Sequence, residues 1–385
     1  MFLETQDKAK KDYYIKMLTT VGSLSRLFSE SNKPYLHYRV AENLFCKSFT
    51  ADNLSRSDTS ADASLNGVGF GLKTFLQGNG RKMEKIAEFN KDSTGLKTLS
   101  IDEQVREIAR IRNERIETTK KIYGLTDIIY HCVTRTDSTM SVIETPMHSI
   151  DTESVKILLA GDKSISFKDK NEEYTFNFSK STLFKRFIVQ DVLAEVPITI
   201  INDPFDVLER LFTSPSEAET VLRELVFTPI KRHEHVFLPL YSTRSKAENK
   251  EVPLKSGLNQ WNAGGRTRSL GEVYIPIPAW IHRKFSGFFP SKDTQFKLRL
   301  PDKSVLTAKV CQENSKALMT NPNEALGQWI LRDVLNLAEG EVLTYEKLED
   351  IGLDAVVVYK IDEENYEIDF AKIGSYDSFE EENED

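Results

Sequence analysis

The stretch Asp62-Ala-Ser-Leu-Asn-Gly-Val-Gly-Phe-Gly-Leu-Lys-Thr-Phe75 decides how the first half of this chain is read. Glycines before a Lys-Thr suggest a phosphate-binding loop. A Walker A loop, however, needs Gly and Lys adjacent at the start of a helix, and Leu72 separates Gly71 from Lys73. A dinucleotide fingerprint opening at Gly67 fails too, because it needs a glycine where Leu72 stands. Strands explain the same residues better. Asn66-Gly67 is the strongest short hairpin signal, since a type I′ turn requires positive φ at both central positions. A two-residue turn sets Leu65 opposite Val68, Ser64 opposite Gly69, Ala63 opposite Phe70 and Asp62 opposite Gly71. Lys73, two residues on, shares that sheet face, so an acid and a lysine converge.

The rest of the 385-residue chain is long enough for two domains, expected at 1–230 and 231–385, each with its own core. With 39% hydrophobic and 29% charged residues, the composition excludes fibrous, disordered and low-complexity classes. No stretch approaches the roughly 18 apolar residues of a membrane span, and the opening MFLETQDKAKKDYY lacks an apolar leader region, so no membrane partner and a cytoplasmic location are expected. Cys46, Cys132 and Cys311 stand apart, with no zinc or disulfide pattern. The net charge of −8 is unevenly placed: Thr344–Asp385 carries 15 acidic residues against 3 lysines, which leaves a mildly basic body. A polyanionic partner is therefore permitted.

Hydrophobic periodicity predicts helices over Lys10–Ser31, Pro34–Phe45 and Arg81–Lys91, and Ser100-Ile-Asp-Glu103 is a capping box opening a long helix to about Tyr123. Strands are predicted over Asp127–Arg135, Met140–Thr145, Val155–Ala160 and Tyr174–Phe178. A polar stretch at Thr213–Glu219, a helix through Leu225 and the basic Lys231-Arg232 mark the passage to the second half. There, strands are predicted over Val273–Ile277, Phe296–Leu300, Val305–Val310, Ala355–Ile361 and Tyr366–Phe370, with an amphipathic helix over Glu324–Leu337. The acidic end, Asp377–Asp385, reads as a solvated tail.

Phosphodiester hydrolysis with Mg²⁺ needs carboxylates to hold the ion and a nearby lysine to orient the attacking water. Asp62 and Lys73 supply part of that set, and here the chain resembles the PD-(D/E)XK nuclease core, in which an acid on one strand of a hairpin faces an acid-x-lysine on the next. The chain departs from that pattern at Gly71, where the middle acid is missing. Glu84 and Glu88, on the polar face of the helix expected after the hairpin, and Glu42, on the helix before it, are the candidate replacements, with Asp58 a further one. The resemblance implies Mg²⁺ held by Asp62 with Glu42 or Glu88, and Lys73 as the catalytic cation. Lys180, Lys185 and Arg186 form a basic cluster placed to touch phosphates or solvent, and His37 and His131 read as hydrogen-bonded or exposed histidines rather than ligands.

In the second half, Ser256-Gly-Leu-Asn-Gln-Trp-Asn-Ala-Gly-Gly-Arg-Thr-Arg268 concentrates side chains that pair with base edges on a glycine-flexed loop, and Cys311-Gln-Glu-Asn-Ser-Lys-Ala317 is a second polar loop after a strand. Together with Val273-Tyr-Ile-Pro-Ile-Pro-Ala-Trp280, Phe288-Phe-Pro290 and Leu326-Gly-Gln-Trp-Ile-Leu-Arg332, these loops are similar to the C-terminal B3-like DNA-binding domain of NgoFVII-type restriction endonucleases, over about Phe237–Phe370. The resemblance implies two arms in the DNA major groove: Asn259, Gln260, Trp261, Asn262, Arg266 and Arg268 on the first, and Gln312, Asn314, Ser315 and Lys316 on the second. The usual catalytic partner of that domain, a phospholipase D-type module with HxK(x)4D, is missing: Phe289 takes the Asp position after His282-Arg-Lys284.

The expectation is an α+β chain: a PD-(D/E)XK-like α/β nuclease domain followed by a mostly-β, B3-like pseudobarrel. It would be a Type II restriction endonuclease cutting double-stranded DNA with Mg²⁺, as a homodimer or transient dimer, beside a cognate DNA methyltransferase. The alternatives are a non-catalytic sequence-specific DNA-binding protein and a subunit of an ATPase-dependent restriction complex.

Overall fold

The computed structural model of the chain describes residues 1–54, 59–89, 93–213, 233–243, 250–255 and 257–383. Asp58, the polar stretch from 214, the helix through Leu225, Lys231-Arg232 and the expected boundary at 230/231 lie outside the described residues.

The hairpin forms in the expected register. Ala63–Leu65 pairs antiparallel with Val68–Leu76, with Ala63 opposite Phe70 and Leu65 opposite Val68. Asn66 and Gly67 both take positive φ, 51° and 77°, as the type I′ turn demands. The capping box also forms: the Ser100 side chain accepts from Glu103 N, Glu103 reaches back to Ser100 N, and helix Ile101–Tyr123 runs from there to an αL cap at Gly124. That helix is the crossover between Val68–Leu76 and its parallel neighbour Asp127–Thr136. Among the described residues, the first sheet runs in the order Asp52–Asn53, Ala63–Leu65, Val68–Leu76, Asp127–Thr136, Thr139–Pro146, Ala194–Pro197. One face is covered by helices Lys8–Ser23 and Tyr38–Phe49 through Tyr14, Leu18, Phe45, Phe49 and Phe70.

The helix expected over Arg81–Lys91 is instead the strand Arg81–Glu88. It heads a second sheet, followed by Thr182–Ile188, Glu173–Asn177, Ser164–Lys168 and Lys156–Ala160. Met83, Ile86 and Ala87 satisfy a helical period, but antiparallel pairing with Thr182–Ile188, Lys185 opposite Glu84, overrides local preference. The second helix begins later than expected, at Tyr38, with the His37 ring accepting from Arg39 N.

In the second half the sheet order is Glu234–Pro239, Leu353–Lys360, Asn365–Lys372, Gln295–Arg299, Val305–Cys311, Ala317–Thr320, Ile275–Pro276. The two end strands come back against each other, so the sheet is nearly closed and barrel-like. The amphipathic helix expected from Glu324 starts at Ala325 and widens into a π-helical segment over Gln328–Val334. The acidic end is not a loose tail: Ser375–Asn383 is a helix. Phe379 is buried and its ring packs against Phe237, Trp280 and Phe285, while Asp377 accepts from the Tyr241 hydroxyl and the Lys250 ammonium, both at 2.6 Å.

The halves share one continuous apolar core, in which Ile116, Ile122 and Ile128 join the second-half cluster. Ion pairs edge it: Arg110 with Asp350 at 2.5 Å, Lys303 with Asp52 at 2.6 Å, and Lys347 with Glu114. No helix among the described residues is long and apolar enough to cross a membrane. All three cysteines are free and buried, and burial pushes the Cys46 and Cys132 thiols up to about 12, which makes them poor nucleophiles.

Candidate functional site

A cleft of about 780 Å³ opens where the hairpin, helix Tyr38–Phe49 and strand Arg81–Glu88 meet, and its walls carry Glu42, Asp62, Lys73, Glu84 and Glu88. Residues from three elements, with Asp62 just before strand Ala63–Leu65, therefore share one space although they are spread over the first 88 positions. Asp62 is fixed: its backbone N–H donates to Phe70 O at 2.8 Å and its carboxylate accepts from Leu72 N at 2.7 Å. The acid is thereby held on the strand that carries Lys73.

The three glutamates differ in readiness. Glu42 is buried and accepts from Arg39 at 3.0 Å. Glu88 is exposed and pairs with Lys85 at 2.9 Å. Glu84 is half-buried; burial raises its carboxyl above the ordinary range, against the pull of Lys82, Lys73 and Arg135. Glu84 and Glu88 both line the cleft, with a β-bulge between them where Lys85 and Ala87 lie opposite the consecutive Phe184 and Leu183.

The gap at Gly71 has a steric cause. A Cβ there would stand 2.7 Å from Met147 Cε and 3.1 Å from the Tyr130 ring, so this position is packed and a side chain enters it only if the Met147 methyl and the ring give way. No group of three His, Cys, Asp or Glu side chains converges to hold a metal among the described residues. Mg²⁺, by contrast with ions that need a protein cage, usually takes one or two carboxylates and completes its shell with water and substrate phosphate. Asp62 and Glu84 are two carboxylates on the wall of one cleft.

Of the basic cluster, Lys180 is exposed, and the other two cations are already paired. Lys185 is buried, pairs with Glu172 at 2.8 Å and lies over the Tyr130 and Phe187 rings, and Arg186 pairs with Glu173 at 2.7 Å. His131 is buried between the Tyr14 hydroxyl at 2.8 Å and Glu144 at 2.9 Å.

In the second half, the two polar loops flank a cleft of about 690 Å³ lined by Gly257, Leu258, Tyr274, Pro276, Asn314 and Lys316. Asn259, expected to read a base, is instead wholly buried: its amide donates to Leu343 O at 2.8 Å and accepts from Leu343 N at 2.9 Å. It anchors the first arm, since a buried amide must be hydrogen-bonded and the loop backbone supplies the partners. Trp261 is half-buried against the core. Arg268 ties the arm together by donating to Ala263 O at 2.6 Å and Gly264 O at 2.9 Å. Gln260 is half-buried, whereas Asn262 and Arg266 are exposed, Arg266 pairing with Glu272 at 3.0 Å. On the second arm, Gln312, Asn314 and Ser315 take positive φ of 69°, 57° and 54°. Ser315 O accepts from the His282 ring at 2.9 Å, and Asn314 and Lys316 are exposed.

The chain is thus a mixed α/β protein whose second half is a nearly closed β-sheet with two polar arms beside one cleft. Residues 233–362 match the family model of the NgoFVII C-terminal B3-like DNA-binding domain. No curated protein matches the chain.

Proposed function

We propose that this chain is a sequence-specific DNA endonuclease of the Type II restriction class: the second half reads double-stranded DNA with its two arms, and the cleft of the first half hydrolyses the backbone with Mg²⁺. The match of residues 233–362 to a DNA-binding domain supports the reading half. That Asp62, Lys73 and Glu84 line one cleft is the observation that carries the cutting half.

Asp62 and Glu84 would hold the metal together with a DNA phosphate. Bound there, Mg²⁺ would supply positive charge to the phosphoryl oxygens and acidify a bound water. The orientation of the Asp62 carboxylate by Leu72 N supports this role. The Lys73 ammonium would donate to the attacking water and to the phosphoryl oxygens as negative charge builds on them. Glu42 and Glu88, each held by a neighbouring cation, would shape the cleft's charge. Cutting both strands calls for two copies of the site, as a dimer or in two encounters.

A non-catalytic DNA-binding protein is the second reading, favoured by the packed Gly71 position. Incubation of supercoiled plasmid with the purified chain separates the two. Nicking that requires Mg²⁺, stops with EDTA and is lost in Lys73→Ala with DNA binding retained is the expected result. Intact plasmid under all conditions, with binding retained, assigns the chain to the second reading.

A further inference from the structure

We infer that Lys372, a residue of the recognition half, is a DNA-phosphate contact of the cutting cleft, lent across the domain interface; this rests on the cleavage reading above. Strand Asn365–Lys372 ends at the cleft, where Lys372 and Ile373 form part of its wall beside Glu88. The Lys372 side chain is exposed and has no carboxylate partner within ion-pair distance among the described residues, whereas Lys85 in the same cleft is paired with Glu88.

Its position is set by a strut from the other half. Arg115, on helix Ile101–Tyr123, is buried; it donates to Glu88 O at 2.7 Å and to Asp350 O at 2.9 Å, and its guanidinium lies over the Phe89 ring. One side chain thus joins the strand that carries Glu84 and Glu88 to the end of helix Tyr345–Ile351. The guanidinium also packs flat on Gly352: a Cβ there would stand 3.1 Å from it, and Gly352 has φ +82°. Gly352 O in turn accepts from Ile373 N at 3.2 Å, and Leu353 is the register partner of Lys372. The path Arg115, Gly352, Ile373 therefore ties the backbone at the end of strand Asn365–Lys372 to the strand that carries Glu88. A cation so placed, exposed on the wall of the cleft that also carries the acids and without a carboxylate partner among the described residues, suits a backbone phosphate of DNA lying across the cleft.

The test uses the full chain, a 40-base-pair duplex of mixed sequence and supercoiled plasmid. Each phosphate contact contributes about 0.9 to the slope of log affinity against log salt. Lys372→Ala is expected to reduce that slope by about 0.9 on the duplex and to slow plasmid nicking in Mg²⁺, and Lys372→Arg to restore both. An unchanged slope in Lys372→Ala, with the wild-type chain nicking plasmid, overturns this inference alone. A reduced slope with no nicking by the wild-type chain upholds the phosphate contact and overturns the cleavage reading.

Discussion

The Asp62 carboxylate accepts a hydrogen bond from the backbone N–H of Leu72 at 2.7 Å, one residue before Lys73 on the opposing strand. The acid is thus tied to the strand that presents the lysine, and their relative placement does not depend on a flexible loop. A site built on paired strands holds its geometry better than one built on loops.

Glu84 is expected to trade stability for function. Burial raises its folded-state carboxyl above the unfolded value. The fold therefore favours the protonated form: this contribution is fully present below the unfolded pKa and is lost as pH rises through the folded one. Glu84→Gln should melt higher than wild type at pH 8, by about one or two degrees, and the difference should close below about pH 4, where the acid is protonated in both states. Thermal melts at the two pH values measure this, and a lower melting point at pH 8 contradicts it. Plasmid nicking should fall sharply in the same variant.

Restoring the missing acid should fail. Gly71→Ala pushes a methyl to 2.7 Å from Met147 Cε, an overpacking cost of about 1–3 kcal/mol. Gly71→Asp should cost more and leave nicking no faster. Adding Met147→Ala should recover part of the Gly71→Ala loss, a coupling that urea denaturation of the double-mutant cycle reads out. Simple additivity would show that the contact is not the cause.

Asn259 should behave as an anchor. With both sides of its amide bonded to Leu343 in the interior, Asn259→Ala leaves buried backbone groups unsatisfied, at about 1–3 kcal/mol. Sequences selected by the variant from a random DNA pool should match those selected by wild type, whereas Arg266→Ala or Asn314→Ala should alter them. A changed preference in Asn259→Ala restores it to the reading set.

The acidic helix should matter for folding. Phe379 is buried among Phe237, Trp280 and Phe285, so Phe379→Ala should cost about 3 kcal/mol in chemical denaturation. A detachable tail would predict no loss.

Much of the first site was legible because its rules are local. The Asn66-Gly67 turn fixes register two residues at a time, so Asp62 and Lys73 fall on one face whatever surrounds them. Ser100 and Glu103 cap their own helix by contacts three residues apart. Glu84 and Glu88 are reached for a different reason: the segment follows the hairpin closely enough to line the same cleft, although it is a bulged strand and not a helix.

What the sequence determined by itself was the hairpin register, the capped crossover helix, the convergence of an acid with a lysine and the resemblance of the second half to a DNA-reading domain. The tertiary structure alone decided whether Arg81–Glu88 is helix or strand, because a partner strand from residue 182 onward outweighs a weak local preference. It decided that Asn259 faces inward, since composition marks a polar loop without saying which amide the core will claim. It also brought Lys372 to the wall of the first half's cleft, where Arg115 meets Asp350 and Gly352, contacts between residues more than two hundred positions apart that no periodicity encodes. Local spacing follows from backbone geometry; which distant surfaces meet follows from how the apolar faces of the two halves are buried together.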